Sequence, residues 1–178
     1  GVFEASGSLA GERHEPAELR SFLTRDIFAY ANVPYRIKPY ASLLANPKDT
    51  VVFDQHLEKL IQQSVQAKGA DGKLVWDQQG QVRLVNLTEK LLVPLLAKFS
   101  NFLPGAGIWL NTQRPEWNDA NNALVGNGCS MVTLYYIRRY LTFCQELFHE
   151  SADKNFKLSA EVAGFLGALN QTLKRHRR

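Results

Sequence analysis

From Cys129 to Phe148, apolar side chains fall at nearly every angular position of a helix: Met131, Val132, Leu134, Tyr135, Tyr136, Ile137, Tyr140, Leu141, Phe143, Cys144, Leu147 and Phe148. A helix apolar nearly all round is expected to be buried on several sides, so other parts of the chain must supply the elements around it. Arg138 and Arg139 interrupt the pattern. Their long stems suit positions where methylenes pack and the guanidinium reaches water. No uninterrupted apolar run in the chain approaches the ~18 residues that span a bilayer, so no membrane segment is expected.

The elements that could surround this helix follow from spacing. Residues 1–15 have no period, and Gly1, Gly7 and Gly11 with Ser6 and Ser8 read as an extended lead-in. Pro16 is well placed to begin a helix carrying Leu19, Phe22, Leu23, Ile27, Tyr30 and Ala31, which Val33-Pro34 should end. Tyr35 to Tyr40 reads as extended. Asp49 or Thr50 is then the expected N-cap of a second helix, running to Lys68 and closed by Gly69. Between 72 and 85, the turn pair Gln79-Gly80 separates Leu74-Val75-Trp76 from Val82-Arg83-Leu84-Val85, which predicts a short β-hairpin inserted between helices. Asn86 and Glu89 form a capping pair for a third helix with Pro94 inside it, ending near Leu103-Pro104-Gly105. Ser159 caps the last helix, which carries Val162, Phe165, Leu166, Leu169 and Leu173. The expected fold is therefore mainly α, about five helices.

Charge narrows the partners. The formal net charge is +4, yet Lys174, Arg175, Arg177 and Arg178 stand together at one end. Without those four, the 21 basic residues fall to 17, equal to the acidic ones. A nucleic-acid binder spreads its cations over a face or along a helix, so no nucleic-acid partner is expected. Cys129 and Cys144 make neither a disulfide framework nor a metal-ligand spacing, and no metal is expected. Residues 1–15 lack the basic start and apolar block of a signal peptide, which points to a cytoplasmic location. The chain begins at Gly1 and its one methionine is Met131; it reads as one domain over 1–178, as a piece of a longer protein or as a processed product.

The connection before the apolar helix, 104–128, is far longer than the ~2–8 residues that a helical hairpin needs. It also holds the densest chemistry in the chain: Arg114, Glu116, Trp117, Asn118, Asp119, Asn121 and Asn122. Glu116 and Asp119 are three apart and share a face if the backbone is helical there. Two carboxylates in one apolar-walled site have their pKa values pushed apart, which keeps one protonated as a general acid. Trp117 offers an aromatic face for a sugar ring. Asn118 and Asn122 can donate and accept together, as hydroxyl-rich ligands require, and Arg114 can grip an anionic oxygen bidentately. The alternative is that the Asn and Asp side chains only bridge loop backbone. A thiol route through Cys129 with His149 or His56 is a further reading, because a helix N-terminus lowers a thiol pKa.

Glu116-Trp117-Asn118-Asp119-Ala120-Asn121 resembles the Asp-Trp-Asn-Asp-Gly segment of the cellobiose phosphorylase-like enzymes, which belong to the glycoside-active proteins built as an (α/α)6 toroid of six helical hairpins. Glu116 stands where that family has aspartate, and Ala120 where it has glycine. The resemblance covers roughly 86–148. It implies helical hairpins forming part of a toroid, with the remainder of the same barrel as partner. It further implies cleavage of a glycosidic bond in a disaccharide or oligosaccharide by an inverting hydrolase or phosphorylase. Asp119 takes the place of the family's general acid. Glu116, Trp117, Arg114, Asn118 and Asn122 are then substrate-binding candidates. No organic cofactor is implied, and inorganic phosphate is the co-substrate if the enzyme is a phosphorylase. The competing expectation is a helical protein-interaction module with no catalysis.

Overall fold

Helix α1 (Pro16–Ser21) stops twelve residues short of Val33, where apolar spacing would carry it. The computed structural model of the chain describes residues 16–46, 49–111, 127–151 and 155–176; the lead-in 1–15 lies outside them. After Ser21 the chain turns, with Leu23 fully buried, and enters strand β1 (Phe28–Ala29). β1 pairs antiparallel with β4 (Leu84–Val85), Phe28 opposite Val85. Two hydrogen bonds, one from backbone and one from a side chain, fix this path: the Leu87 N–H donates to the Phe22 carbonyl at 2.9 Å, and Thr88 Oγ1 donates to the Leu23 carbonyl at 2.8 Å. A helix this short has little intrinsic stability, so tertiary pairing decides its length.

The same competition moves the second helix. Val51-Val52-Phe53, β-branched and aromatic, form strand β3 (Val51–Phe53), which pairs antiparallel with β2 (Tyr35–Ile37); α2 (Tyr40–Ala45) lies in the connection. The N-cap is therefore Asp54, not Asp49 or Thr50. Its carboxylate accepts the Leu57 N–H at 2.9 Å and opens α3 (Gln55–Lys68). That hydrogen bond and the Arg36 guanidinium hold the Asp54 carboxyl below its ordinary value. A carboxylate whose folded pKa is depressed contributes stability above its unfolded pKa of ~3.9 and loses it as pH falls through the folded value. Asp54→Asn retains a good cap but no titrating charge. Its urea midpoint is expected to change less than wild type between pH 5 and about pH 2; an acid limb as steep as wild type's counts against this role.

Gly69, at φ 70°, ends α3 and starts a 3₁₀ turn over Gly69–Lys73 that folds back on the helix. Gly72 is buried there, and a Cβ on it would stand 2.3 Å from the Ser64 carbonyl oxygen. Gly72→Ala must therefore push the turn off α3. We expect a loss of about 1–3 kcal/mol by urea unfolding, the usual range for overpacking. Beyond the turn, Trp76 bridges Val82 and the Arg83 N–H donates to the Val75 carbonyl at 2.8 Å. The expected ribbon over 72–85 is thus not a free-standing insertion: its far end, β4, is the partner of β1.

Helix α4 (Leu87–Phe99) includes Pro94 and ends four residues before Leu103. Phe102–Leu103 form β5 instead, followed by β6 (Gly107–Asn111) and β7 (Asn127–Ser130), a three-stranded antiparallel sheet in the order β5-β6-β7. Helix α5 (Met131–Glu150) follows β7 directly, and α6 (Ala160–Arg175) comes last.

This architecture corrects the expectation of a mainly α fold. Among the described residues, six α-helices alternate with seven short strands in three small antiparallel sheets. A toroid of helical hairpins joins helix to helix, whereas here strands stand between α1 and α2, α2 and α3, α3 and α4, and α4 and α5. The chain is a mixed α/β domain and not part of an (α/α)6 toroid. Apolar period alone did not reveal this, because short runs such as Val51–Phe53 and Ile108–Leu110 fit a strand as well as a helix turn.

The buried apolar residues include Leu23, Val85, Leu96, Ile108, Ile137, Cys144 and Leu147. Tyr140 ties α5 to α4 by donating to the Leu91 carbonyl at 2.9 Å. The expectation that α5 is enclosed on several sides is also corrected. Ile137, Cys144 and Leu147 are buried, but Val132, Tyr135 and Tyr136 are 54%, 59% and 54% exposed. No helix among the described residues is long and apolar enough to cross a membrane.

Candidate functional site

All six sequence-predicted site residues, Arg114, Glu116, Trp117, Asn118, Asp119 and Asn122, lie outside the described residues. What is described is the frame from which their segment leaves and to which it returns. β6 and β7 pair through Ile108↔Ser130, Trp109↔Cys129, Leu110↔Gly128 and Asn111↔Asn127. Residues 112–126 thus join two positions that face each other across a ladder. The ladder is braced below. Ile108 is fully buried, and Gly107, at φ 123°, brings its Cα so close to Ser130 that a Cβ would meet the Ser130 carbonyl oxygen at 2.9 Å. Ser130, 4% exposed, caps α5 by accepting the Thr133 N–H at 3.1 Å. Ser130, the last strand residue, thus joins the ladder directly to the first turn of the 20-residue helix.

The thiol route loses His149 as a partner in this frame. Cys129 stands two residues before α5, and His149 lies near the other end of that helix, about 27 Å along the axis from Met131. Cys144 is buried beside Tyr140, and burial pushes its thiol up, the opposite of an activated nucleophile. No group of three or more His, Cys, Asp and Glu side chains is placed to hold a metal among the described residues.

A second polar centre was not singled out as a site by sequence. A cleft of about 210 Å³ lies between β4, the start of α4 and residues 157–159. At its floor is Glu89, only 4% exposed. The Glu89 N–H donates to Asn86 Oδ1 at 3.0 Å, as a capping pair should. Its carboxylate, however, does not turn back to its own helix. Oε2 accepts the Ser159 N–H at 2.7 Å and Oε1 accepts the Ser159 hydroxyl at 3.0 Å. Ser159 is the N-cap of α6 and makes no capping bond of its own. One carboxylate thus sits at the start of two helices, and both dipoles favour its charge.

The surrounding charges are paired across the same cleft. Lys157 Nζ reaches Asp26 at 2.8 Å, and that carboxylate raises the Lys157 pKa. Arg83 reaches Glu161 at 3.4 Å, and Asn86 Nδ2 donates to the Lys157 carbonyl at 2.7 Å. Nearby, the Tyr30 hydroxyl is buried without a hydrogen-bond partner among the described residues; burial first, then the Glu89 charge, raises its pKa, and Arg83 opposes them. Every charge lining the cleft already has a protein partner, so the arrangement acts as a clasp. It fastens α6, which has no buried residue of its own, to α4. The legible signals were Asn86-x-x-Glu89 and the Ser159 cap. Nothing in the spacing says that one serves the other.

No protein-family model matches the chain, and no curated protein matches it.

Proposed function

We propose that this chain is a carbohydrate-active enzyme that cleaves a glycosidic bond in a disaccharide or oligosaccharide, with Asp119 as general acid. One observation carries the reading: a segment holding two carboxylates three apart, a tryptophan, amides and a guanidinium is strung between paired positions of a braced β-ladder, Asn111↔Asn127. Binding groups on a long connection rooted in a rigid element are a common way to build a site. Glu116 and Trp117 position the sugar, Arg114 holds an anionic oxygen or phosphate, and Asn118 and Asn122 bind hydroxyl groups. Inorganic phosphate is the co-substrate if the enzyme works as a phosphorylase. An inverting hydrolase needs in its place a second carboxylate that activates water.

Isothermal titration of the chain with simple disaccharides, with and without phosphate, tests the proposal. Binding is expected, and it should weaken about tenfold in Trp117→Ala, the scale of one lost aromatic contact. Wild-type protein that binds no sugar under either condition sinks the reading. The uncovered apolar surface of β2, β3 and α5 favours a second reading, a non-catalytic protein-interaction module. That module predicts no sugar binding at all.

A further inference from the structure

Helix α6 is amphipathic, and its own domain leaves its apolar side half open. Val162, Phe165, Leu166, Leu169 and Leu173 fall within an arc of about 100°. The helix rests on α4, yet none of its residues is buried. Phe165, Leu166 and Leu173 are 44%, 36% and 38% exposed. Ser159 and Glu161 hold the start of the helix through Glu89 and Arg83. From Asn170 to His176 every residue is exposed, so the far end meets a partner without rearrangement of the core.

The charge at that end indicates the chemistry of the partner. Lys174 and Arg175 are exposed and make no salt bridge among the described residues. Arg177 and Arg178 follow in the sequence, and these four residues supply the whole excess of positive charge. Around the helix axis, Lys174 and Arg175 lie on opposite flanks of the apolar stripe, each about 130° from its centre. The helix dipole favours cations in the last turn, but it gives no reason for the exposed Leu173 beside them. A partner that takes both features is anionic at its surface and apolar beneath, which describes a bilayer containing acidic phospholipids. Apolar side chains enter the boundary between headgroups and acyl chains there, and the lysine and arginine stems reach back to the phosphates. Nucleic acid offers phosphate without the apolar layer, and its binders spread their cations along a face. With 16 residues and a polar side carrying Asn170 and Gln171, the helix lies on a bilayer and does not cross it. We infer that α6 is a docking surface for an anionic lipid bilayer, with Phe165, Leu166 and Leu173 entering the interface and Lys174 and Arg175 holding the headgroups. The inference stands apart from the carbohydrate reading and uses none of its residues.

Co-sedimentation of the full chain with lipid vesicles tests it, with helical content checked by circular dichroism. Vesicles of phosphatidylcholine alone are compared with vesicles in which about a third of the lipid is phosphatidylserine. Wild type is expected to bind the anionic vesicles about tenfold or more tightly than the neutral ones, and added salt should weaken that binding. Lys174→Ser combined with Arg175→Ser should lower the affinity about tenfold or more, roughly fivefold for each cation. Leu173→Asn changes an exposed residue away from the clasp and should cost about tenfold, because one apolar side chain no longer leaves water. Equal binding to both vesicle types, or to neither, overturns the inference. So does a Leu173→Asn variant that binds as wild type does, since charge alone then accounts for the contact. Binding to polyuridylate without binding to vesicles gives the basic end to nucleic acid and overturns it too. Should a variant lose its helical content, the comparison of the two vesicle types with wild type still decides.

Discussion

Glu89→Ala is expected to destabilise the chain by about 2–4 kcal/mol, read as a lower urea midpoint. The carboxylate is 4% exposed and accepts two hydrogen bonds from Ser159, one from the N–H and one from the hydroxyl. Alanine leaves the Ser159 N–H without its acceptor and opens a small polar void. An orphaned buried donor alone costs ~1–3 kcal/mol. The charge also lies at two helix N-termini, each worth ~0.3–1 kcal/mol. Glu89→Gln keeps the shape and one good acceptor, so roughly half the loss is expected. Ser159→Ala removes only the hydroxyl and should cost about 1 kcal/mol. The loss should be localised: amide hydrogens of α6 exchange faster in Glu89→Ala than those of α5, because α6 buries no side chain and depends on the clasp. Uniform acceleration across both helices, or an unchanged midpoint, contradicts the assignment.

The contrast between α5 and α6 explains what was legible in the sequence. Long, strongly periodic segments declared themselves: α4, α5 and α6 begin close to where spacing places them, with Asn86 and Ser159 at their helix starts, whereas α3 begins after Asp54 rather than Asp49 or Thr50, and the Ser130 cap of α5 was not read from the sequence. Short segments did not. Phe28–Ala29, Tyr35–Ile37 and Val51–Phe53 owe their strand state to partners distant in sequence, such as Phe28 to Val85. No local pattern encodes a pairing made at that separation. Burial was misjudged for a related reason. The apolar circumference of α5 led to an expectation of burial on several sides, but cover depends on what the neighbouring elements reach; among the described residues, the buried side chains of α5 are Ile137, Cys144 and Leu147. For the proposed site, sequence named the candidate residues at 114–122 but not the footing of their segment. The footing is a β-ladder, not the ends of two helices. The Glu89 clasp was half visible: its cap on α4 was read, and its reach to α6 was not.

Asp119→Asn is expected to lower kcat for glycosidic cleavage by about 10²–10⁴-fold, the usual contribution of a positioned general acid and equal to about 2.7–5.5 kcal/mol of barrier. Asparagine matches aspartate in size and can accept and donate hydrogen bonds, so binding should change little and KM should stay near wild type. What it cannot do is deliver a proton to the departing oxygen. That difference gives a readout that a structural role cannot mimic. A substrate with a strongly acidic aryl leaving group needs little protonation, so the variant should recover much of its rate on it, while an alkyl or sugar leaving group shows the full loss. If Asp119 only bridges backbone, Asp119→Asn should instead lower stability and impair both substrates alike. Glu116→Gln sharpens the distinction, because the two carboxylates stand three apart on the same segment and the proposal gives them different roles. It should raise KM through poorer sugar positioning and leave the dependence on leaving group as in wild type. A reversed result, with Glu116→Gln sensitive to the leaving group and Asp119→Asn not, would move the proton donor to Glu116 and keep glycosidic cleavage as the reaction.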